Sequence, residues 1–276
     1  MEKLKQAVEK AKQQREQKKS ILQSNEERSL NNAIFKKTSQ SLIVYTQTKV
    51  VNIVESVFKK NRMVTENGMQ SVSTAYKILR THVAQLLNEN GWNSVAITSA
   101  NSGEGKTLTA TNLALSLAKK VDQTVLLVDL DLRKPGIHKM FDYAPACGID
   151  DYINFDANIS DILFNPGIDG LVVMPCRNSH TNSSEMLSSP RMIELVNDIK
   201  NRYPSRIIIF DLPPILSVED ALAFAPYVDS ALLVVREGKT TQKDISKSLE
   251  MLRTTNVLGT VMNNAKYSRP SYTNYT

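Results

Sequence analysis

The segment Ser99-Ala100-Asn101-Ser102-Gly103-Glu104-Gly105-Lys106-Thr107 follows an apolar run at Val95 to Thr98 and opens a helix-forming stretch through Leu117. Strand, glycine-containing loop and helix in that order build a phosphate-binding loop, or P-loop. The backbone N–H groups of such a turn converge as an anion nest, and the helix N-terminus adds a positive dipole. Lys106 supplies a charge for β- and γ-phosphates, and the Thr107 hydroxyl a ligand for Mg²⁺. Gly103 and Gly105 permit the positive φ and close backbone approach that a side chain would block. Where the motif G-x-x-x-x-G-K-[ST] has its first glycine, this chain has Ala100.

Five further apolar runs follow, at Val125 to Val128, Leu171 to Met174, Ile207 to Phe210, Ala231 to Val235 and Val257 to Val261, alternating with helical stretches. Near-continuous β-branched runs separated by helices predict an α/β P-loop NTPase fold, its mostly parallel sheet covered by helices on both faces. Ligands of such sheets bind beyond the C-terminal strand ends. Two runs deliver acids there. Val125 to Val128 leads into Asp129, Leu130, Asp131, Leu132 and Arg133, and alternation along a strand end lets both carboxylates point one way. They could hold Mg²⁺ through water or take a proton from an attacking hydroxyl, with Arg133 neutralising charge nearby. Ile207 to Phe210 leads into Asp211, Leu212, Pro213 and Pro214, so one carboxylate reaches the phosphates before prolines stop the strand. Thr107 and Asp211, with phosphate oxygens and waters, make a sensible Mg²⁺ shell.

Val72, Tyr76, Leu79, Val83, Leu86 and Leu87 recur at spacings of three and four, predicting an amphipathic helix that ends near Asn88 to Gly91. Residues 1–68 read as a helical and flexible N-terminal extension: Leu4, Val8 and Ala11 form one stripe in a Lys/Glu/Gln-rich stretch, and residues 29–68 show no clean period. The nucleotide-binding domain is expected over 69–266 and a polar tail over 267–276. With 276 residues, 41% hydrophobic and 22% charged, the chain fits one sizeable globular domain with an extension, and collagenous or wholly disordered classes are excluded. Its formal net charge of +6 suits an anionic partner. No aromatic stacking platform or recognition motif supports nucleic acid. Cys147 and Cys176 sit in no CxxC spacing, so neither a zinc site nor a redox dithiol is expected. No run approaches a membrane span, and a cytoplasmic protein is expected, reaching the inner face of the membrane only through a partner.

The P-loop, the strand ending Asp-Leu-Asp-Leu-Arg and the strand ending Asp-Leu-Pro-Pro together resemble the Walker A, A′ and B motifs of bacterial tyrosine kinases. These are the polysaccharide-biosynthesis autokinases of capsule and exopolysaccharide systems, related to septum-placing and plasmid-partitioning ATPases. The resemblance covers roughly Tyr76 to Lys266, and Asn182 to Ser189 (NSSEMLSS) is similar to a stretch usual in the family. It implies ATP and Mg²⁺ as cofactors. Nucleotide contacts are implied at Ser102, Gly103, Glu104, Gly105, Lys106, Thr107, Leu108 and Arg133, and metal contacts at Thr107, Asp129 and Asp211. Lys106, Asp129 and Asp131 are implied as catalytic, Asp129 as base or metal-linked acid. The partitioning ATPases carry a signature lysine early in the loop, and Asn101 at that place favours the kinase branch.

The family tends to end in a tyrosine cluster phosphorylated by a neighbouring subunit, and Tyr267, Tyr272 and Tyr275 put three of the chain's nine tyrosines in its last ten residues. The resemblance further implies a membrane chain-length determinant or activator protein as partner, and self-association. In the family's oligomer-forming helix a Glu and an Arg precede the Leu-Arg-Thr; this chain has Thr74 and Lys77 before Leu79, Arg80 and Thr81. Two other outputs stay open on the same motifs: a nucleotide-gated switch or positioning ATPase, and a nucleotide-binding scaffold that anchors assembly proteins.

Overall fold

The computed structural model describes residues 48–65, 70–120, 123–203 and 205–266. The expected N-terminal helix and the tyrosine-bearing tail lie outside the described residues. Eight strands form one sheet: β1 (Lys49–Val50), β2 (Ser94–Ser99), β3 (Thr124–Asp129), β4 (Phe164–Asn165), β5 (Leu171–Met174), β6 (Arg206–Asp211), β7 (Ser230–Arg236) and β8 (Asn256–Asn263). Their order is β1-β4-β5-β3-β6-β2-β7-β8, and every neighbouring pair is parallel except β4 with β5. All six apolar runs of the sequence are strands.

β2, β3, β5, β6 and β7 are buried on both faces, which is why they read as apolar runs rather than alternating ones, while β8 at the sheet edge is partly exposed. Alternation reappears in what each side chain touches. Leu126, Val128, Ile208 and Phe210 point into one core layer, and Val125, Leu127, Ile207 and Ile209 into the other. Over the first layer lie α5 (Ile149–Phe155), α6 (Ser183–Leu187), α7 (Pro190–Arg202) and α8 (Asp220–Phe224), with Met192, Leu195, Val196 and Phe224 packed inward. Over the second lie α1 (Glu55–Lys60), α2 (Gln70–Asn90), α3 (Lys106–Ala118) and α4 (Ile137–Met140). A further α-helix among the described residues, α9 (Gln242–Met251), joins β7 to β8.

The predicted helix is α2, whose inner face carries Val83 and Leu87; Val72, at its start, is exposed. Arg80 donates to the Ser116 carbonyl of α3 at 2.8 Å, while Thr74 and Lys77 face solvent. The stretch NSSEMLSS forms α6: Met186 and Leu187 enter the core, and the Ser189 hydroxyl accepts the Met192 N–H at the start of α7.

Residues 48–65 fall within the segment expected as an extension, and they are built into the sheet domain. β1 pairs with β4 through Lys49–Phe164 and Val50–Asn165, and Val57 and Met63 are buried in the second layer. The Asn112 side chain fastens this segment, accepting from Val64 N at 2.8 Å and donating to Arg62 O at 3.1 Å. A two-residue edge strand, with the segment after it fastened by one asparagine, leaves no periodicity to read.

At the N-terminal edge of the sheet, the Asp229 carboxylate joins three elements. It accepts from Asn93 N, Ser94 N and Ser94 Oγ at the start of β2, and from Lys200 Nζ of α7 at 2.6 Å. Burial alone would raise this carboxyl, but the bonds from Lys200, Ser94 and Asn93 outweigh it and hold it below the ordinary range. A depressed carboxyl contributes stability that is present above its unfolded value near 3.9 and is lost as pH falls through the folded value. Asp229→Asn should therefore cost about 1–3 kcal/mol at pH 7, and its deficit against the parent should shrink below pH 4, as read from urea unfolding at both pH values.

Candidate functional site

β2, β3, β6, β7 and β8 run parallel and so end at one edge of the sheet. There the P-loop leaves β2, and Asp129 and Asp211 end β3 and β6. The register makes Asp129 and Asp211 direct partners across the strand pair, and Ile97, two residues before the end of β2, pairs with Asp211 on its other side. Two carboxylates thus meet beside the start of α3.

Lys106, the first residue of α3, lies buried among these acids. Its Nζ is 2.7 Å from Asp131 Oδ2 and 3.6 Å from Asp211 Oδ1, and donates to Thr107 Oγ1 at 3.2 Å. The Thr107 hydroxyl donates to Asp211 Oδ2 at 2.6 Å. Burial works against the Lys106 ammonium, but Asp211, Asp131 and Asp129 outweigh it and raise its pKa. Asp129 is fully buried: Oδ2 accepts Gly136 N and Ile137 N, both at 2.9 Å, and Oδ1 accepts only Asp131 N at 3.3 Å. Burial and the neighbouring Asp211 push the Asp129 carboxyl up to about 8, against the pull of the Ile137 N–H and Lys106. Burial likewise raises Asp211, with Asp131 adding to it.

The loop has the backbone that phosphate binding needs. Gly103 and Gly105 have φ of 76° and 97°, and a Cβ on Gly105 would overlap the Asn263 side chain. Gly136 comes so close that a Cβ there would lie 3.3 Å from the Thr107 methyl. Glu104 is fully buried, its carboxylate accepting Asn101 N at 3.0 Å and Thr240 Oγ1 at 2.6 Å. Ala100, where a glycine is usual, is buried and its carbonyl accepts Leu216 N at 3.2 Å. Ser102 is exposed on the loop, and Leu108 is half-buried in the first turn of α3.

The structure thus gathers Lys106, Thr107, Asp129, Asp131 and Asp211. Arg133 stands apart, forking onto Asp220 through Nε and Nη2 at 3.1–3.3 Å and reaching Glu219 at 3.2 Å. Among the described residues buried Asp211 Oδ1 has no hydrogen-bond partner, and Lys106 lies 3.6 Å from it. An orphaned carboxylate oxygen beside a threonine hydroxyl and an anion nest fits a nucleotide with its divalent ion.

Asp150, Cys176 and His180 also present ligand atoms within 4.8 Å of one another. Asp150 is occupied there: Oδ1 accepts Arg177 N, and Oδ2 accepts Asn178 N and Nδ2 and contacts His180 Nε2. Its oxygens fasten the loop after β5. Burial raises the Cys176 thiol, with Asp150 and Asp129 adding to the effect, so it is a protonated, inert group.

Sequence reasoning does not single out Arg236, Lys239, Thr240 or Asn263, which close over the loop. Their one signal is position, since each lies at or just beyond the end of β7 or β8, on the same edge as the acids.

This architecture and loop define a nucleotide-binding domain: the CobQ/CobB/MinD/ParA nucleotide binding domain family (CbiA) matches residues 95–273. Within it, the chain belongs to the bacterial tyrosine-protein kinases. It is 35% identical over 205 residues to tyrosine-protein kinase YwqD of Bacillus subtilis (strain 168), covering 74% of this chain and 85% of that relative. It is 32% identical over 205 residues to a putative tyrosine-protein kinase in the cps region of Klebsiella pneumoniae, covering 73% of this chain but 28% of the longer relative. The solved kinase domain of Escherichia coli tyrosine kinase ETK superposes with a TM-score of 0.67 at 28% identity, over 83% of this chain and 92% of that one.

Gly105→Ala combines a left-handed backbone with the overlap at Asn263. It should lower the stability of the nucleotide-free protein by about 1–3 kcal/mol. Adding Asn263→Ala should recover the steric part and leave the conformational part, as measured by thermal unfolding of both variants.

Proposed function

We propose that the chain is an ATP-dependent protein-tyrosine autokinase that regulates exopolysaccharide or capsule synthesis and transfers the γ-phosphate to Tyr267, Tyr272 and Tyr275 of its own tail. The observation that carries this reading is the buried cluster in which Lys106, Thr107, Asp131 and Asp211 share one hydrogen-bonded and ion-paired site at the mouth of the P-loop. The likeness to YwqD and to the kinase of the cps region supports the choice of tyrosine and of polysaccharide systems.

ATP lies along the loop from Ser102 to Leu108, where backbone N–H groups and the start of α3 take its phosphates. Thr107 and Asp211, with Asp129, would hold Mg²⁺. The ion neutralises charge on the phosphates when bound. Lys106 exchanges part of its contact with Asp131 for a phosphate oxygen. Asp129 is the base: two amides fix Oδ2, and Oδ1, which accepts the Asp131 N–H at 3.3 Å, is the more open oxygen. The phenolic oxygen forms the new bond to the γ-phosphorus, the bond from that phosphorus to the ADP oxygen breaks, and the phenolic proton passes to Asp129. Arg133, held by Asp220 and Glu219, would reach the nucleotide only by giving up part of that fork.

Among the described residues no helix is long and apolar enough to cross a membrane. Work at the inner face of the membrane would go through a partner, and a membrane chain-length determinant of polysaccharide export fits that part. Self-association delivers the tail of one copy to the site of another.

With purified protein, ATP and Mg²⁺, radiolabel should appear on tyrosine in the C-terminal peptide. Lys106→Met should abolish transfer, and Asp129→Asn should reduce kcat by about 10²–10⁴. Label retained on tyrosine in Lys106→Met would sink the assignment. Free phosphate released without phosphotyrosine would establish the nucleotide-gated positioning ATPase instead.

A further inference from the structure

Three consecutive carbonyls of the P-loop are capped from outside by side chains that the phosphoryl transfer does not use. Lys239 Nζ donates to Ser102 O at 2.5 Å, Arg236 Nη1 to Gly103 O at 3.1 Å, and Asn263 Nδ2 to Glu104 O at 2.8 Å. Arg236 ends β7, Asn263 ends β8, and Lys239 lies in the turn that follows β7. That turn is itself fixed. Lys239 N and Thr240 N both donate to Arg236 O, Gly238 takes a φ of 70°, and Thr240 Oγ1 accepts Arg236 N while donating to the Glu104 carboxylate. The loop and the turn are one hydrogen-bonded unit.

Each capped carbonyl shares its peptide plane with the N–H of the next residue, so the three planes carry the N–H groups of Gly103, Glu104 and Gly105. These are the amides of the anion nest. A donor at the carbonyl polarises the peptide and strengthens its N–H toward an acceptor on the far side. Where the donor is a cation, its charge also adds to the positive potential of the cradle. The positive rim of the cradle comes from the end of β7 and the turn after it.

We propose that Lys239 and Arg236 are positioning residues for the nucleotide phosphates, acting through the Ser102 and Gly103 carbonyls and touching neither base nor sugar. The proposal rests on the reading of the loop as a nucleotide site. The test uses the full chain, fluorescent ADP, and displacement by inorganic pyrophosphate. Lys239→Gln and Arg236→Gln should each weaken ADP by about three- to tenfold, and pyrophosphate by a similar factor. The melting temperature of the nucleotide-free protein should not change, and Lys239→Arg and Arg236→Lys should restore most of the loss. Unchanged ADP affinity in both glutamine variants overturns the proposal. So does weakened ADP with unchanged pyrophosphate, which would place these side chains on the base or sugar, and so does a loss of affinity that tracks a fall in melting temperature. Failure of the parent protein to bind ADP would overturn the nucleotide reading itself.

Discussion

The site depends on one buried ammonium. Lys106 sits among Asp129, Asp131 and Asp211 where water is largely excluded, and burying so many charges is tolerable only because each is paired or hydrogen-bonded. The cluster carries more negative than positive charge, which raises the carboxyls of Asp129 and Asp211 and leaves one Asp211 oxygen without a donor. An arrangement of this kind costs stability in the free protein. It is maintained by the β3–β6 register, which sets Asp129 opposite Asp211, and by the two amides that grip Asp129 from the start of α4.

The sheet makes that register firm. Alternate residues of β3 and β6 feed two different core layers, so a slip of one position would exchange the faces of Leu126, Val128, Ile208 and Phe210 with those of Val125, Leu127, Ile207 and Ile209. Catalytic geometry thus inherits its precision from packing. The P-loop is held from the other side by the ends of β7 and β8, so the phosphate cradle lies between acids on one flank and the Arg236, Lys239 and Asn263 donors on the other.

Local chemistry made much of this legible in one dimension. Five of the six strands announced themselves because both faces are buried, the loop because glycines and Lys106-Thr107 follow a strand, and the acids because they terminate apolar runs. The segment around β1 and α1 did not, since its anchoring runs through Asn112 and the short edge pairing of Lys49–Phe164. In the sequence Arg133 reads as neutralising charge beside Asp129 and Asp131; its fork onto Asp220 and Glu219 comes from residues far along the chain.

The sequence by itself determined the fold class, the phosphate loop and the identity of the three acids, because each follows from residue types and spacings within a few positions. Only the tertiary structure decided which carboxylate faces Lys106, which oxygen of Asp129 stays open, and that Arg236, Lys239 and Asn263 cap the loop. Those outcomes are set by strand order and register, which bring together residues more than a hundred positions apart, and no local pattern encodes such a meeting.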